Sequence, residues 1–455
     1  MSTLATAVPL SRPRLAVDGG DPVVPAGYLM MSRWPRLDRD DIDAVLRQLE
    51  SGLYTEMSSV ARVQEFESEM AIFAGARYAL AVNSGTAALH CALAGLGVEP
   101  GDEVVVPALA YIACAAAVLH HQAIPVFADV DALTYNLTAE TVAAAITPRT
   151  RAVIVVHLHG LPADLVAIKD VCDRHGILVV EDFSQAVGAT YRGRPVGGWG
   201  AVGAASLMSG KNLPSLGEAG ILVSNSREIR NRAATLKAFG QEIMPDGSHR
   251  LIDATMGWNY RINLLAAVMV SRQLFHLQTY TNLRRQSAER LNDALARIPG
   301  FQAPASPPES EHCYHMYRFR FDPQTCGLSI SIDQGHEALK QVFWAEGMPL
   351  VEFQNQPLPG HDLLRGKVGY GRGCPWRCHG LEGLAYRIED FPGALDAIRS
   401  SLVIGFPAQA VLANPEVVDA YLAVFSKIER NLRVFERFAQ DLPSSPPWTA
   451  PARMF

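Results

Sequence analysis

The stretch AVIVVHLHGLPADLVAIKDVCDRHGILVVEDFSQ, residues 152–185, decides the fold. It opens on a continuous apolar run, Ala152–His157, passes through a helical segment, Pro162–His175, and returns to a second apolar run, Ile177–Glu181. A run with no polar alternation marks a strand covered on both faces. Working outward, the same strand-like texture recurs at Tyr78–Val82, Glu103–Val106, Ile124–Phe127, Val202–Leu207 and Ile221–Val223, with helical segments such as Ala87–Leu96 and Ala139–Ala145 between. Strands alternating with helices predict an α/β domain built on a mostly parallel sheet.

Flanking segments complete the outline. Asp38–Gly52 reads as a helix, with acidic residues at its start and Ile42, Val45 and Leu46 at helical spacing. Val63–Gly75 is a second helix with Phe66, Met70 and Phe73 on its apolar face. Arg261–Leu295 reads as one long helix able to bridge to a smaller domain. That domain mixes a strand at Tyr317–Phe321 with helices at His336–Glu346 and Glu416–Phe438. The expected organisation is an N-terminal arm over 1–34, a large domain over 35–290, a small C-terminal α+β domain over 291–440, and a proline-rich tail over 441–455.

Bulk properties narrow the function. At 455 residues the chain can bury a large core. Its formal charge of -6 and lack of a basic stripe give no reason to expect nucleic acid. No apolar run is long enough to span a membrane, and the opening MSTLATAVPLSRPRLAV is too interrupted for a signal peptide. An odd number of cysteines, 7, spread over the chain is a poor disulfide framework and suits a reducing compartment, so the cytoplasm is expected. Cys374, Cys378 and His379 lack the spacing of a metal cluster, and no metal is expected there. A Gly- and Cys-rich surface loop near the substrate entrance is expected instead.

The chemistry-bearing residues lie where strands end. Ser84-Gly85-Thr86 follows a strand and opens a helix, so free N–H groups and the positive helix end face outward toward an anion such as phosphate. A plain N-cap would look the same. Tyr111 comes directly after a strand, where α/β sheets line their ligand crevice. Its ring can stack on a flat heteroaromatic, or simply sit at the core edge. Glu181 and Asp182 end a wholly apolar strand, a costly placement unless they are paired or face a ligand. Asp182 can hold a pyridine nitrogen protonated, bind a metal, or cap a helix, and Gln185 can reach a phenolic oxygen. Lys211, among Gly210, Gly217 and Gly220, would sit in a partly buried pocket that eases loss of its proton. Phosphate cup, ring platform, aspartate and lysine together meet the contacts that pyridoxal phosphate requires.

The chain resembles the DegT/DnrJ/EryC1/StrS sugar aminotransferases, fold type I pyridoxal phosphate enzymes. The resemblance covers about 35–440 and rests on SGTAAL at 84–89, the segment 107–111, DVDALTYNL at 129–137, TPRTRAVIVVHLHGLPAD at 147–164, EDFSQAVGA at 181–189, SLMSGKNLPSLGEAG at 206–220 and GWNYRINLLAA at 257–267. It implies a large domain with a central, mostly parallel seven-stranded sheet covered by helices. It also implies that Lys211 bonds the cofactor and shuttles protons, Asp182 faces the pyridine nitrogen, Gln185 the ring hydroxyl and Tyr111 the ring face. Gly85, Thr86 and Ser206 would hold the phosphate, with Asn259 reaching it from the neighbouring subunit of a homodimer. His157, His159 and Arg261 would border the substrate space, unless the histidines are packed strand-end residues.

Departures from the family pattern are Ala219 within Glu218-Ala219-Gly220, Leu207 after the phosphate-site serine, and Phe183 after the aspartate. The part from His315-Met-Tyr317 to Ser401-Leu-Val-Ile404 resembles the branch of ketocyclitol aminotransferases and aminohydroxybenzoate synthases. Only single arginines, such as Arg261, Arg318 and Arg377, stand as anchors for a diphosphate. The resemblance therefore implies transfer of an amino group from L-glutamine or L-glutamate to a small polyhydroxylated ketone, with a nucleotide-linked keto sugar as the other acceptor. A dehydratase, cyclase or condensing enzyme on the same scaffold, or a binding or regulatory protein without turnover, are the alternatives.

Overall fold

The computed structural model describes residues 14–25, 34–243, 249–253, 255–405 and 408–449. The arm expected over 1–34 falls outside the described residues at 1–13 and 26–33, as does the tail at 450–455.

The large domain opens with two helices, α1 (Arg39–Glu50) and α2 (Val60–Phe73). It then alternates strand and helix through β1 (Tyr78–Val82), α3 (Gly85–Gly95), β2 (Glu103–Pro107), α4 (Ala113–His120), β3 (Ile124–Ala128), α5 (Ala139–Ala145), β4 (Thr150–Val156), α6 (Leu165–Arg174) and β5 (Leu178–Asp182). Two further strands, β6 (Val202–Ser206) and β7 (Gly220–Ser224), precede α7 (Arg227–Lys237). The seven strands form one sheet in the order β1-β7-β6-β5-β4-β2-β3. Pairing is parallel from β6 through β5, β4 and β2 to β3, while β7 runs antiparallel to both its neighbours. The mostly parallel seven-stranded sheet of the sequence reading is present. Burial explains the uninterrupted apolar runs: Val104–Val106 and Ala152–Val155 are wholly buried.

A single helix, α8 (Leu264–Leu295), leaves this core and enters the second. Leu264, Ala266, Ala267 and Val270 pack in the large domain, whereas Ala288, Leu291 and Leu295 pack in the small one. At 32 residues it is roughly 48 Å long, enough to span both. The small domain has an antiparallel sheet, β8 (Phe301–Gln302), β9 (Arg318–Phe321), β11 (Ser401–Ile404) and β10 (Leu350–Val351) in spatial order. Helices α9 (Ile332–Ala345), α10 (Pro392–Ser400), α11 (Pro415–Arg430) and α12 (Leu432–Gln440) complete it. Leu15 and Val24 are buried in this small core, and Glu346 accepts N–H groups from Ala16 and Val23.

Some features differ from the sequence reading. Ile42 and Leu46, whose helical spacing marks α1, are 41% and 44% exposed and not packed in the core. Buried Asp41 secures the helix instead, with Gln273 and Arg272 of α8 at 2.8 and 3.2 Å. The cysteines were expected to make a poor disulfide framework, yet Cys374 and Cys378 are joined in a disulfide whose Cα atoms lie 5.3 Å apart across a tight turn. Their loop was expected near the substrate entrance. Its anchor, the buried Trp376, lies along the outer strand β3, where the indole N–H donates to the Tyr386 hydroxyl, which donates to the Pro125 carbonyl. An otherwise open sheet edge is thereby covered. Tyr370 of the same loop lies close enough to Tyr260 to interact with it electrostatically. Among the described residues no helix is long and apolar enough to cross a membrane.

The costly pair ending β5 is resolved by alternation of side chains along the strand. Glu181 turns away from the crevice and accepts N–H groups from Gly197, Trp199 and Gly200 at 2.6–2.7 Å. It also faces His157 Nε2 at 3.2 Å. Ala163 N–H donates to His157 Nδ1, so Nε2 carries the proton given to Glu181. His157 is therefore a packed strand-end residue. Substituting Glu181→Ala leaves these buried donors without an acceptor, and a loss of about 3–5 kcal/mol is expected. A urea denaturation midpoint unchanged from the parent protein would contradict this account.

Candidate active site

The crevice lies at the carboxyl ends of the parallel strands, where short connections must turn from sheet to helix. Ser84 caps α3, its hydroxyl accepting the Ala87 N–H at 3.1 Å. The N–H groups of Gly85 and Thr86 belong to the first helical turn and have no carbonyl within the helix. This helix end is pressed against β6 and β7. A Cβ on Gly85 would lie 2.5 Å from Ser206 Cβ, and one on Gly220 would lie 2.2 Å from the Ser84 carbonyl oxygen. Only glycine permits that approach. Ser206 receives the Met208 N–H on its hydroxyl oxygen at 3.3 Å, so its own O–H remains to donate. Gly85, Thr86 and Ser206 thus form one narrow cup of donors.

Asp182 ends β5 and is 7% exposed. The Ser184 N–H donates to its Oδ1 at 3.0 Å, and the Cys114 thiol donates to Oδ2 at 3.4 Å. Burial and the adjacent Asp182 carboxylate push the Cys114 thiol well above its usual range, so it stays an S–H donor. Gln185 is nearly buried, and its Oε1 accepts the His159 N–H at 2.7 Å. With the oxygen engaged, the amide NH₂ is the end left for a ligand oxygen. Tyr111 is 61% exposed, four residues beyond the carboxyl end of β2.

Lys211 follows β6 on a tight turn, its N–H donating to the Met208 carbonyl at 2.8 Å. Its own carbonyl accepts the Trp34 indole N–H at 2.9 Å. Burial lowers the amine's proton affinity, opposed in part by Asp182, Cys114 and Glu218 nearby. These neighbours put Lys211 and Asp182 in one electrostatic environment.

Asn259 does not join this group within the chain. It is exposed on a strip beside Asn83, whose side-chain amide faces the Asn259 carbonyl at 3.5 Å. His159 is buried beneath Gln185, with Nε2 accepting from Arg318 at 3.1 Å, and does not line open substrate space. Arg318 is itself buried, bonded to Ser401 and the Ala397 carbonyl, and so is not available as a surface anchor. Arg261 lies over the Phe239 ring at 5.0 Å. The departures are accommodated: Ala219 keeps a negative φ, and wholly buried Phe183 faces Gly197, where a Cβ would lie 2.9 Å from the ring. Cys114, Ser184 and Trp34 were missed by sequence reasoning, because each acts on a residue distant in sequence or through its backbone.

Residues 35–343 match the model of the DegT/DnrJ/EryC1/StrS aminotransferase family. The L-glutamine:scyllo-inosose aminotransferase of Streptomyces griseus is 31% identical over 437 residues, covering 93% of this chain and 99% of that protein. The dTDP-3-amino-3,4,6-trideoxy-alpha-D-glucose transaminase of Streptomyces venezuelae is 37% identical over 277 residues, covering 61% of this chain and 71% of that protein. The solved structure of 3-amino-5-hydroxybenzoic acid synthase superposes with a TM-score of 0.74 at 27% identity, covering 88% of this chain and 98% of that one.

Two outcomes follow from the geometry. Gly85→Ala should weaken binding of a phosphorylated ligand by about tenfold or more, because the new methyl group must displace Ser206. Equilibrium dialysis with pyridoxal phosphate reads the loss, and parent-like affinity would contradict the narrow cup. Lys211 sets a pH dependence in the cofactor-free protein. Its folded proton affinity lies below the ordinary value of 10.5, so between the two values the unfolded chain binds the extra proton. Stability contributed at this site therefore rises with pH toward 10.5. Urea titrations at stepped alkaline pH should show that slope reduced in Lys211→Met; an identical slope would contradict a lowered lysine.

Proposed function

The chain belongs to the DegT/DnrJ/EryC1/StrS aminotransferase family, and from that premise we propose that it moves an amino group from L-glutamine or L-glutamate to a ketocyclitol or keto sugar, with Lys211 as the catalytic base. The observation that carries the reading is the Lys211 amine, its charge disfavoured by burial, set beside the fixed Asp182 carboxylate.

The donor set fits pyridoxal phosphate. A cup of N–H and hydroxyl donors at Gly85, Thr86 and Ser206 suits a phosphate, and glycine's absent Cβ keeps Ser206 within reach. Asp182 suits a protonated pyridine nitrogen, the free amide NH₂ of Gln185 suits a phenolic oxygen, and the Tyr111 ring suits a planar face. When bound, the cofactor supplies an aldehyde that captures amines and a ring that withdraws electrons from the adjacent carbon.

The chain's own residues do the rest. Asp182, held by Ser184 and Cys114, keeps the proton on the ring nitrogen and does not rotate away. Lys211 Nζ, more readily neutral than a surface lysine, would take the proton from the donor's Cα and pass it to the cofactor, and would carry a proton the opposite way when the acceptor is aminated. The Trp34 indole, bonded to the Lys211 carbonyl, fixes the backbone from which that amine swings.

The acceptor we favour is a small polyhydroxylated ketone. The S. griseus scyllo-inosose enzyme aligns with 93% of the chain, so the likeness includes the small domain, whereas the match to the dTDP-sugar enzyme covers 61%. We further propose a homodimer with shared sites. Asn259 is turned outward, and Ile42, Leu46, Leu49 and Met57 leave an apolar surface uncovered on the single chain.

The test is transfer of label from L-[α-¹⁵N]glutamine through the cofactor-loaded protein to scyllo-inosose or to a dTDP-linked keto sugar. Label should enter the cyclitol product, and Lys211→Ala should slow transfer by about 10²–10⁴-fold. Parent-like transfer by that variant would contradict the role of Lys211. Preference for the nucleotide sugar would overturn the acceptor assignment.

A further inference from the structure

Beside the phosphate cup lies a chain of hydrogen bonds that the proton chemistry does not use. His90 is wholly buried on α3, the helix whose first turn carries Gly85 and Thr86. Its Nδ1 faces the Tyr260 hydroxyl at 3.2 Å, and its Nε2 faces His121 Nδ1 at 3.1 Å. His121 Nε2 in turn lies 2.7 Å from the Val98 carbonyl oxygen.

The proton positions follow from that last contact. A carbonyl only accepts, so His121 Nε2 carries hydrogen and, in the neutral ring, Nδ1 accepts. His90 Nε2 must then donate and Nδ1 accept, which fixes the Tyr260 O–H as donor. The relay has one direction, from Tyr260 through His90 and His121 to Val98. Burial, with His121 and His120 alongside, pushes His90 down to about 3, and burial lowers His121 as well, which favours the neutral rings.

Tyr260 is tied along its backbone as well. Its carbonyl accepts the N–H of Asn83, the residue preceding Ser84, at 2.9 Å. Its N–H donates to the Lys237 carbonyl at 3.0 Å, while Trp258 N–H donates to the Leu236 carbonyl at 2.7 Å. Trp258 stacks on Tyr260 and meets His90 edge-on, with centroids 6.3 and 4.9 Å apart. Asn259, between them, is thus presented outward from a braced strip. Both the entrance to the cup and the Asn259 edge are tied to the body of α3 through the Tyr260 hydroxyl, alongside the edge contact of Trp258 with His90.

We propose that Tyr260, His90 and His121 are positioning residues that set the geometry of the phosphate cup, and through it the affinity for the cofactor's phosphate. The inference rests on the cofactor reading above. None of the three is among the residues assigned to the cofactor above; they act through Asn83 and the first turn of α3.

The test compares pyridoxal phosphate with pyridoxal, which lacks the phosphate, as ligands of the cofactor-free full chain. Tyr260→Phe deletes one O–H and keeps the ring. It should weaken pyridoxal phosphate about tenfold, as loss of one effective hydrogen bond implies, and change pyridoxal by less than about twofold. His90→Phe keeps a ring but removes the acceptor, and should act in the same direction. Equal weakening of both ligands would mean a general structural role and would overturn the proposal, as would no weakening of either. A parent protein that binds neither ligand would instead overturn the cofactor reading itself.

Discussion

Neighbouring side chains on a strand point to opposite faces, and the end of β5 uses that alternation to organise the active end of the molecule. Glu181 turns to one side and gathers the loop at 197–200 and His157; Asp182 turns to the other and faces the crevice. The first carboxylate is satisfied by N–H donors of the protein, and so can remain buried. The second keeps a direction free for a ligand. Because β5 is flanked in parallel by β4 and β6, everything that meets the ligand is delivered from the same edge of the sheet.

Around Asp182 the supporting contacts are short-range in space and long-range in sequence. The Cys114 N–H donates to the Tyr111 carbonyl and its thiol to Asp182, so one segment carries Tyr111 and braces the Asp182 carboxylate. Gln185 is oriented by the backbone of His159, whose ring is backed by the buried Arg318 of the small domain. The small domain therefore reaches Gln185 through His159, without setting a charged group directly against it. The orientation of the Gln185 amide depends on this chain of contacts, since an amide turned around would set its NH₂ against the His159 N–H.

Much of this was legible because burial leaves a mark on composition. The strands Val104–Val106 and Ala152–Val155 are continuous apolar runs since both faces are covered, and the glycines at 85 and 220 stand where backbones touch. What escaped had no local signature. Helix α4, ACAAAVLH, carries small and apolar residues on every side, so it shows no amphipathic period. The acidic start and apolar spacing of α1 were read correctly as a helix, yet its attachment runs through buried Asp41 and leaves Ile42 exposed. Cys114 and Asp182 are separated by 68 residues, and nothing in either segment announces their contact. The Cys374–Cys378 bond escaped because a tally of cysteines does not show a turn that brings two together.

The central claim is that the amine of Lys211 is the group that engages the cofactor in this crevice. Its most direct test is borohydride reduction of the pyridoxal phosphate-loaded protein, followed by proteolysis and mass spectrometry of the modified peptide. A single pyridoxyl-phosphate adduct on Lys211 is the predicted result. An adduct on another lysine, or none after full cofactor loading, would contradict the account.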